Sequence, residues 1–467
     1  MQKIKTSPAY SYGFASSELA RLRVDYALDE LRDFWIEERG SPSDIKDQYP
    51  IVLGSFSGKY SGSFEDTAIL WTANEAQTTL TFGFQGVGKT ALCFGGIKSQ
   101  EMSFDQRFGL NTMPQIVLDA WGEIHKGSYL SPQSKPKLLA RLKKYEKLFP
   151  WYYPVDLTWK SVTLTPALNA ERLRGMDLQA DYYTGLKAKD WLNLDRQEAK
   201  ALLRELLSIG EDDSADRMIS QGISNLDEDH DSFLDVYEEM IEASEKEKKR
   251  RQTASVSTIA HTRLGYLIEN KEVEIGQDVD WKSFLDQRLI QVLNYPIRSI
   301  TERVYRVMFA TKLLNDFDAI RMSGSPPFGA YFEEAHKLIQ DPNSLLFKLV
   351  KDIFQLERKG GRRFMAVMRM PSYAKELIDE SDSFLTSRLM KEQAGLLDGF
   401  SPDMSLSYKV RELQVVKGDA SQWLYCGKGQ MPMVFWAGVP LTNMQEAKSN
   451  PFERIPQEQV LQARVTL

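Results

Sequence analysis

Residues 83–90 read Gly-Phe-Gln-Gly-Val-Gly-Lys-Thr, a complete phosphate-binding loop of the form G-x-x-x-x-G-K-[ST]. Its glycines let backbone N–H groups close around phosphate oxygens, Lys89 can reach the β- and γ-phosphates, and the Thr90 hydroxyl can ligate Mg²⁺. The apolar run 79–82 predicts a buried strand before the loop. Residues 91–94 predict a helix after it, with its N-terminal dipole facing the phosphates. We therefore expect ATP and Mg²⁺ as ligands, with the nucleotide held by Gly83, Gly86, Val87, Gly88, Lys89, Thr90 and Ala91.

The composition is that of a globular chain without a metal or disulfide framework. The 467 residues are 42% hydrophobic and 27% charged, which is ordinary for a globular protein. The net charge of −6 excludes a surface that is basic overall, but local basic patches could still contact nucleic acid. Two cysteines and four scattered histidines argue against a disulfide framework and against a Cys- or His-based metal site. No apolar run reaches the length of a membrane span or of a signal core, so we expect a cytoplasmic protein.

Further apolar runs predict an α/β fold with a mainly parallel sheet. The predicted strands, besides the one before the loop, are 115–119, 288–293, 364–368 and 434–439. They alternate with helical stretches, and several end on polar residues, which places ligands at their carboxyl ends. Nearer the N-terminus, 17–38 predicts a helix and the Gly/Ser-rich stretch 54–62 predicts a loop or hairpin.

An acidic pair supplies the second half of a nucleotide site. Glu333 and Glu334 follow the apolar segment 328–332. In phosphate-loop enzymes one such carboxylate holds Mg²⁺, usually through water, and a second orients or deprotonates the attacking water. We assign the metal role to Glu333 together with Thr90, and the water role to Glu334. The alternative is a helix N-terminus with two acids, which the helix dipole favours.

Four segments resemble motifs of the HerA/FtsK clan of ATPases. Residues 331–338 (Tyr-Phe-Glu-Glu-Ala-His-Lys-Leu) look like its Walker B stretch, and 118–123 are similar to its D-x-x-G-E segment. Residues 355–364 resemble its arginine- and glycine-rich R-x-G-R-K segment with one extra residue, and 368–372 occupy the place of its T-Q-R-P-S segment. The order and approximate spacing match over residues about 75 to 440.

The resemblance implies a RecA-like P-loop NTPase core with a helical insertion between the two Walker motifs. The corresponding division is an N-terminal helical or hairpin region at 1–75, a core at 76–125 and 270–467, and a helical insertion at 126–269. It also implies a homo-hexameric ring that binds ATP between subunits and translocates double-stranded DNA through a central pore. The short N-terminal region leaves no obvious barrel for recruiting a nuclease, so the partner stays open between a nuclease and another effector protein.

The same resemblance predicts that arginines act at the nucleotide site. In such rings a neighbour's arginine stabilises charge on the γ-phosphate. The candidates are Arg358, Arg362 and Arg363, with Arg362 favoured by its place in the motif; the alternative is a solvated basic helix end. Arg369 departs from the pattern, because the family's sensor residue there is usually glutamine. An arginine at this position could contact the γ-phosphate in cis or could slow the site.

DNA contacts are sought among basic clusters. The candidates are Lys135, Lys137, Arg141, Lys143 and Lys144, and the run Lys248-Lys249-Arg250-Arg251. Each could equally be a solvated helix face. The aromatic triplet 151–153 could stack on bases or belong to the packed core.

Together these features predict a HerA-like ATPase that forms a ring and couples hydrolysis to translocation or unwinding of double-stranded DNA. Two alternatives remain. One is an ATP-dependent switch or scaffold ring in a defence or secretion complex with slow hydrolysis, and the other is a packaging or conjugation motor, which would use the same core.

Overall fold

The computed structural model describes the residues that form the sheet, the phosphate loop and their flanking helices. The described residues are 50–55, 68–72, 77–108, 115–119, 124, 136–148, 152–157, 161–166, 182–184, 204, 213–224, 233–248, 289–293, 329–337, 339, 347–348, 350–352, 354–355, 363–400, 406–416, 421–428 and 432–442.

One twelve-stranded sheet organises these residues, in the order β2-β1-β12-β11-β10-β3-β9-β8-β4-β7-β5-β6. The strands are β1 (Pro50–Ser55), β2 (Ala68–Thr72), β3 (Gln77–Phe82), β4 (Gln115–Asp119), β5 (Ser161–Pro166), β6 (Tyr182–Thr184), β7 (Leu289–Leu293), β8 (Gly329–Phe332), β9 (Arg363–Met368), β10 (Ser383–Thr386), β11 (Gln422–Gly427) and β12 (Met433–Ala437).

The five central strands are parallel and carry the predicted motifs. β3, which leads into the phosphate loop, lies between β10 and β9, and β8, which leads into the acidic pair, lies between β9 and β4. The carboxyl ends of these strands therefore meet at one edge of the sheet, where open α/β sheets bind ligands. One strand, β9, separates the loop strand from the acidic strand. The predicted α/β class with a mainly parallel sheet is confirmed.

Both flanks extend this core. On one side β7, β5 and β6 continue the sheet in parallel, and on the other β11, β12, β1 and β2 are joined antiparallel. The range 126–269 contains β5 and β6 as well as helices, and the range 1–75 contains the β1–β2 hairpin. The helix predicted at 17–38 lies outside the described residues, as does most of the Gly/Ser-rich stretch.

Helix α1 starts at the phosphate loop and is the longest described helical segment beside the core. It begins with a π-helical stretch, Ala91–Lys98, and continues as an α-helix, Ser99–Phe108. The other helices are α2 (Pro136–Leu148), α3 (Asp213–Ser224), α4 (Phe233–Lys248), α5 (Lys375–Ile378), α6 (Lys391–Gly395) and α7 (Leu406–Glu412), with 3₁₀ turns at Ala335–Lys337, Pro371–Ala374 and Asp398–Phe400. None of the described helices is long and apolar enough to cross a membrane.

Buried contacts fix α1 against the sheet and so fix the position of the loop. Its apolar side chains Leu92, Phe94 and Ile97 are buried in the main core. The Gln100 side chain donates to the Val52 carbonyl and accepts from the Val52 N–H, both at 2.8 Å. These bonds satisfy backbone groups of β1 that would otherwise be buried without a partner. The helix that follows the loop is thus a rigid base for it.

Candidate nucleotide-phosphate site

The phosphate loop leaves β3 at Phe82 and turns through two left-handed residues. Gly86 has φ 82° and Gly88 has φ 89°, a region that residues with a Cβ adopt only with strain. At Gly88 the nearest atom to an added Cβ would be 3.9 Å away, so backbone conformation rather than space requires glycine there. At Gly83 an added Cβ would lie 2.8 Å from the Val87 side chain, so space is limiting. The loop therefore has the shape that presents backbone N–H groups to a phosphate.

Lys89 lies under this loop with only 6% of its surface exposed. Its Nζ donates to the carbonyl of Gly83 at 3.0 Å and to that of Phe84 at 3.3 Å. The same nitrogen is 3.8 Å from Oε1 of Glu334. The ammonium group is therefore placed between the loop and the acidic pair, where a β- or γ-phosphate of a bound nucleotide would compete for it.

Thr90 and Glu333 form the pair expected to hold Mg²⁺. The Thr90 hydroxyl donates to Glu333 Oε1 at 2.8 Å, and the Tyr331 hydroxyl donates to Glu333 Oε2. Burial, with the Glu333 charge as a smaller cause, raises the pKa of Tyr331 well above its usual value, so the phenol stays a donor. No group of three or more acidic, Cys or His side chains that could hold a metal occurs among the described residues. The oxygen pair fits Mg²⁺, which binds few protein oxygens and completes its shell with phosphate and water.

Glu334 follows in an unusual backbone conformation and makes several contacts. Its φ is 51°, the left-handed region, and it is 7% exposed. Oε2 lies 3.2 Å from Arg369 Nε and 3.3 Å from His336 Nε2, while Oε1 faces Lys89. A carboxylate at the end of β8, beside the phosphate loop, is in the position that can orient or deprotonate a water.

His336 is a neutral imidazole whose Nε2 contacts the Glu334 carboxylate. Burial lowers the pKa of His336 to about 4, with the neighbouring Glu334 carboxylate opposing the shift. At neutral pH the imidazole is therefore uncharged, and its contact with the carboxylate assigns the proton to Nε2. Its Nδ1 is buried with no hydrogen-bond partner. The ring stacks on Tyr373, with centroids 4.9 Å apart and planes 17° apart.

Arg369 connects the acidic pair to the loop. Its carbonyl accepts from the Gly83 N–H at 3.3 Å, and its guanidinium Nε donates to Glu334. The side chain is 35% exposed. It follows β9, the strand between the loop strand and the acidic strand, so its position is set by the strand order.

The structure brings the predicted loop residues, Glu333, Glu334 and Arg369 together at one sheet edge. Arg358 and Arg362 lie outside the described residues. Arg363 begins β9, at the edge opposite the phosphate loop. Sequence reasoning gave no role to Tyr331 or His336. For Tyr331 a signal existed, because residues two apart on an extended segment share a face, which directs its hydroxyl to Glu333.

The basic and aromatic candidates for DNA binding have structural contacts where they are described. Arg141 donates to the Ala437 carbonyl at 3.4 Å. Tyr152 is fully buried and donates to the Val439 carbonyl, so it belongs to the packed core. The run 249–251 lies outside the described residues.

No protein-family model and no curated protein matches the chain. Solved structures resemble it in part. VirB4 of Thermoanaerobacter pseudethanolicus is 11% identical with a TM-score of 0.48, over 83% of this chain and 95% of that one. The plasmid coupling protein TrwB in complex with ADP and Mg²⁺ is 11% identical with a TM-score of 0.46, over 87% and 98%. The genome packaging NTPase B204 from Sulfolobus turreted icosahedral virus 2, in complex with ATP-γS, is 10% identical with a TM-score of 0.26, over 35% and 73%.

The site is defined by contacts within this chain. Three elements meet at the carboxyl ends of β3, β8 and β9: a phosphate loop, an oxygen pair suited to Mg²⁺, and a carboxylate in reach of the loop lysine. This is the arrangement of a phosphate-loop nucleotide site at the carboxyl edge of a parallel sheet.

Proposed function

We propose that this chain is an ATP-hydrolysing ring motor, similar to HerA, that works in the cytoplasm on double-stranded DNA. The observation that carries the hydrolytic part is the convergence of the Lys89–Glu334 and Thr90–Glu333 contacts at one sheet edge. A site that only bound nucleotide would need the phosphate loop and the Thr90–Glu333 pair that holds Mg²⁺. The additional buried carboxylate beside the loop lysine has a use when a water must be directed at the γ-phosphate.

Each residue then has a separate task. The loop N–H groups and Lys89 hold the β- and γ-phosphates, while Thr90 and Glu333 hold Mg²⁺. When bound, Mg²⁺ neutralises charge that builds on the phosphate oxygens. Glu334 orients the attacking water and takes up its proton. Burial of Lys89 and Glu334 strengthens these interactions relative to bulk water.

A ring would give the candidate arginines Arg362 and Arg358 a site to act on. Arg363 begins β9 and Arg369 follows its end, and six residues at about 3.3 Å each separate these positions by about 20 Å. Because Arg362 directly precedes β9 in the sequence, we expect it to act on a neighbour's site rather than on its own phosphate loop. This supports a ring with ATP between subunits, in which Arg362 acts in trans and Arg358 is the alternative.

Turnover measurements test the hydrolytic assignment. We expect Lys89→Ala to lose nucleotide binding and Glu334→Gln to keep binding but lose turnover. Arg362→Ala should also lose turnover, and mixing it with Glu334→Gln subunits should restore part of it, because one interface then combines an intact arginine with an intact glutamate. Wild-type turnover in Glu334→Gln contradicts the site, and no rescue at any mixing ratio contradicts the trans arginine.

DNA dependence tests the motor. Duplex DNA should stimulate ATP turnover, and particle images with ATP and duplex should show a six-fold ring with DNA in its channel. A monomer, or turnover that ignores DNA, contradicts the motor.

The contacts of Glu334 favour one second candidate, a switch or scaffold ring with slow hydrolysis in a defence or secretion complex. Arg369 and His336 both engage the carboxylate oxygen that would otherwise face a water. For that function we expect ring assembly that depends on ATP and a turnover that neither DNA nor a nuclease or other effector accelerates. A packaging or conjugation motor would share the DNA-stimulated outcome.

A further inference from the structure

We propose that Arg369 is a positioning residue that latches Glu334 and exchanges this carboxylate for the γ-phosphate when ATP binds. The inference rests on the proposed nucleotide site and adds a regulatory step to it. It starts from the contact of 3.2 Å between Arg369 Nε and Glu334 Oε2.

The first step concerns the availability of Glu334. Its Oε2 receives Arg369 and His336, and its Oε1 faces Lys89. A carboxylate acts as a base through a lone pair directed at the proton that it removes. In this pose Oε2 is directed at protein donors, so this oxygen must be released before it can act on a water.

The second step concerns what can release it. Lys89 and Arg369 are both cations that a γ-phosphate attracts, and both contact Glu334. Arginine has five N–H donors, so a γ-phosphate can first meet the terminal nitrogens and then draw the guanidinium away from Glu334. With a side chain 35% exposed, Arg369 is also less confined than Lys89. ADP lacks the γ-phosphate and would leave the latch closed.

The third step concerns how loop and latch are joined. The Arg369 carbonyl accepts the N–H of Gly83, the first residue of the phosphate loop. A change in the loop on binding is therefore transmitted to the backbone that carries the guanidinium. The side chain can change partners while the backbone contact keeps it beside the loop.

A double-mutant cycle in nucleotide affinity tests the exchange. The proteins are the wild type, Glu334→Gln, Arg369→Ala and the double variant, each titrated with a non-hydrolysable ATP analogue and with ADP in the presence of Mg²⁺. If Arg369 must leave Glu334 to reach the γ-phosphate, Glu334→Gln frees it. Glu334→Gln should then tighten analogue binding by roughly tenfold, the size of one charge-assisted hydrogen bond, and should have a smaller effect when residue 369 is alanine. For ADP, Glu334→Gln should change the affinity by the same factor whether residue 369 is arginine or alanine.

The sign of the coupling separates the latch from simple charge shielding. If Arg369 only shields the phosphate from Glu334, removal of the carboxylate matters more when the arginine is absent, and the coupling has the opposite sign. That result, or an additive cycle, overturns the latch. Arg369→Gln repeats the test with a longer polar side chain in case the alanine variant does not fold. Arg411→Ala, an exposed arginine on α7, is the charge-matched control and should bind both nucleotides as the wild type does.

Failure of the latch and failure of the proposed function give different results. If Lys89→Ala binds the analogue as tightly as the wild type does, the nucleotide site itself is wrong. If Lys89→Ala loses binding while the cycle is additive or reversed, the site stands and the latch is wrong.

Discussion

Replacing Tyr331 by phenylalanine should destabilise the fold and raise the Mg²⁺ concentration that nucleotide binding requires. The substitution removes the hydroxyl that donates to buried Glu333 and keeps the ring, which packs against Phe94 at a centroid distance of 5.4 Å. A hydrogen bond to a charged group contributes about 1.5–3 kcal/mol, and leaving a buried acceptor without a donor loses that amount. Because Glu333 is only 2% exposed, solvent cannot replace the donor, and we expect a loss of about 2 kcal/mol in the free energy of unfolding.

Tyr152→Phe is the matched control. Tyr152 is equally buried, but its hydroxyl donates to a neutral carbonyl, that of Val439. The expected loss is about 1 kcal/mol, the contribution of a neutral bond. Denaturant titration gives both values.

The second readout is the Mg²⁺ concentration that half-saturates nucleotide binding. It should rise at least about tenfold in Tyr331→Phe, as expected when a group that orients a metal ligand is removed, and should not move in Tyr152→Phe. If the two variants lose the same stability and neither changes the Mg²⁺ requirement, Tyr331 does not orient a metal ligand and the assignment of Glu333 is wrong.

Three further substitutions have defined outcomes. Gly88→Ala should weaken nucleotide binding by about 5- to 30-fold, the equivalent of a backbone strain of about 1–2 kcal/mol at φ 89°. Gly399→Ala, where an added Cβ has open space, should bind normally in the same fluorescence titration. The His336 pKa of about 4 lies below its unfolded value of about 6.5. Between these pH values the unfolded protein binds a proton at this residue that the folded protein does not, so stability should fall as pH drops from about 6.5 to about 4. In His336→Gln the denaturation midpoint should change less with pH across that range. Arg141→Ala should lower the unfolding free energy by about 1 kcal/mol and leave DNA-stimulated turnover unchanged, because its guanidinium bonds Ala437.

Local sequence patterns were enough to predict the central sheet and the loop. The strands β4 and β9 contain continuous apolar runs, as strands buried on both faces do, and β3 alternates threonine with leucine and phenylalanine before the loop. The phosphate loop needs glycines at fixed offsets, and two of them have the positive φ that makes glycine necessary. The acidic pair follows a short apolar strand, so its location at the carboxyl edge follows from the parallel order.

The remaining features depend on contacts between distant segments. β1 and β2 form an antiparallel hairpin at one flank and β6 is three residues long, so none has a strong periodic pattern of its own. The contact of Arg369 with Glu334 joins residues 35 positions apart and depends on β9 lying beside β8. A motif comparison marks Arg369 as a departure from a pattern, but only the strand order says which carboxylate it meets.

The backbone of Glu334 gives the release of this residue a physical basis. A non-glycine residue at φ 51° is strained by about 1–2 kcal/mol, which its surroundings must offset. The offsetting contacts in this structure are the side-chain bonds to Arg369 and His336 and the nearby Lys89 ammonium. Two of these three partners are cations that a γ-phosphate would attract. Their departure would leave the strain opposed by His336 alone, so nucleotide binding would favour a change in the backbone of Glu334 as well as in its side chain. The residue that must act on water is thus held in the conformation that γ-phosphate binding most directly destabilises.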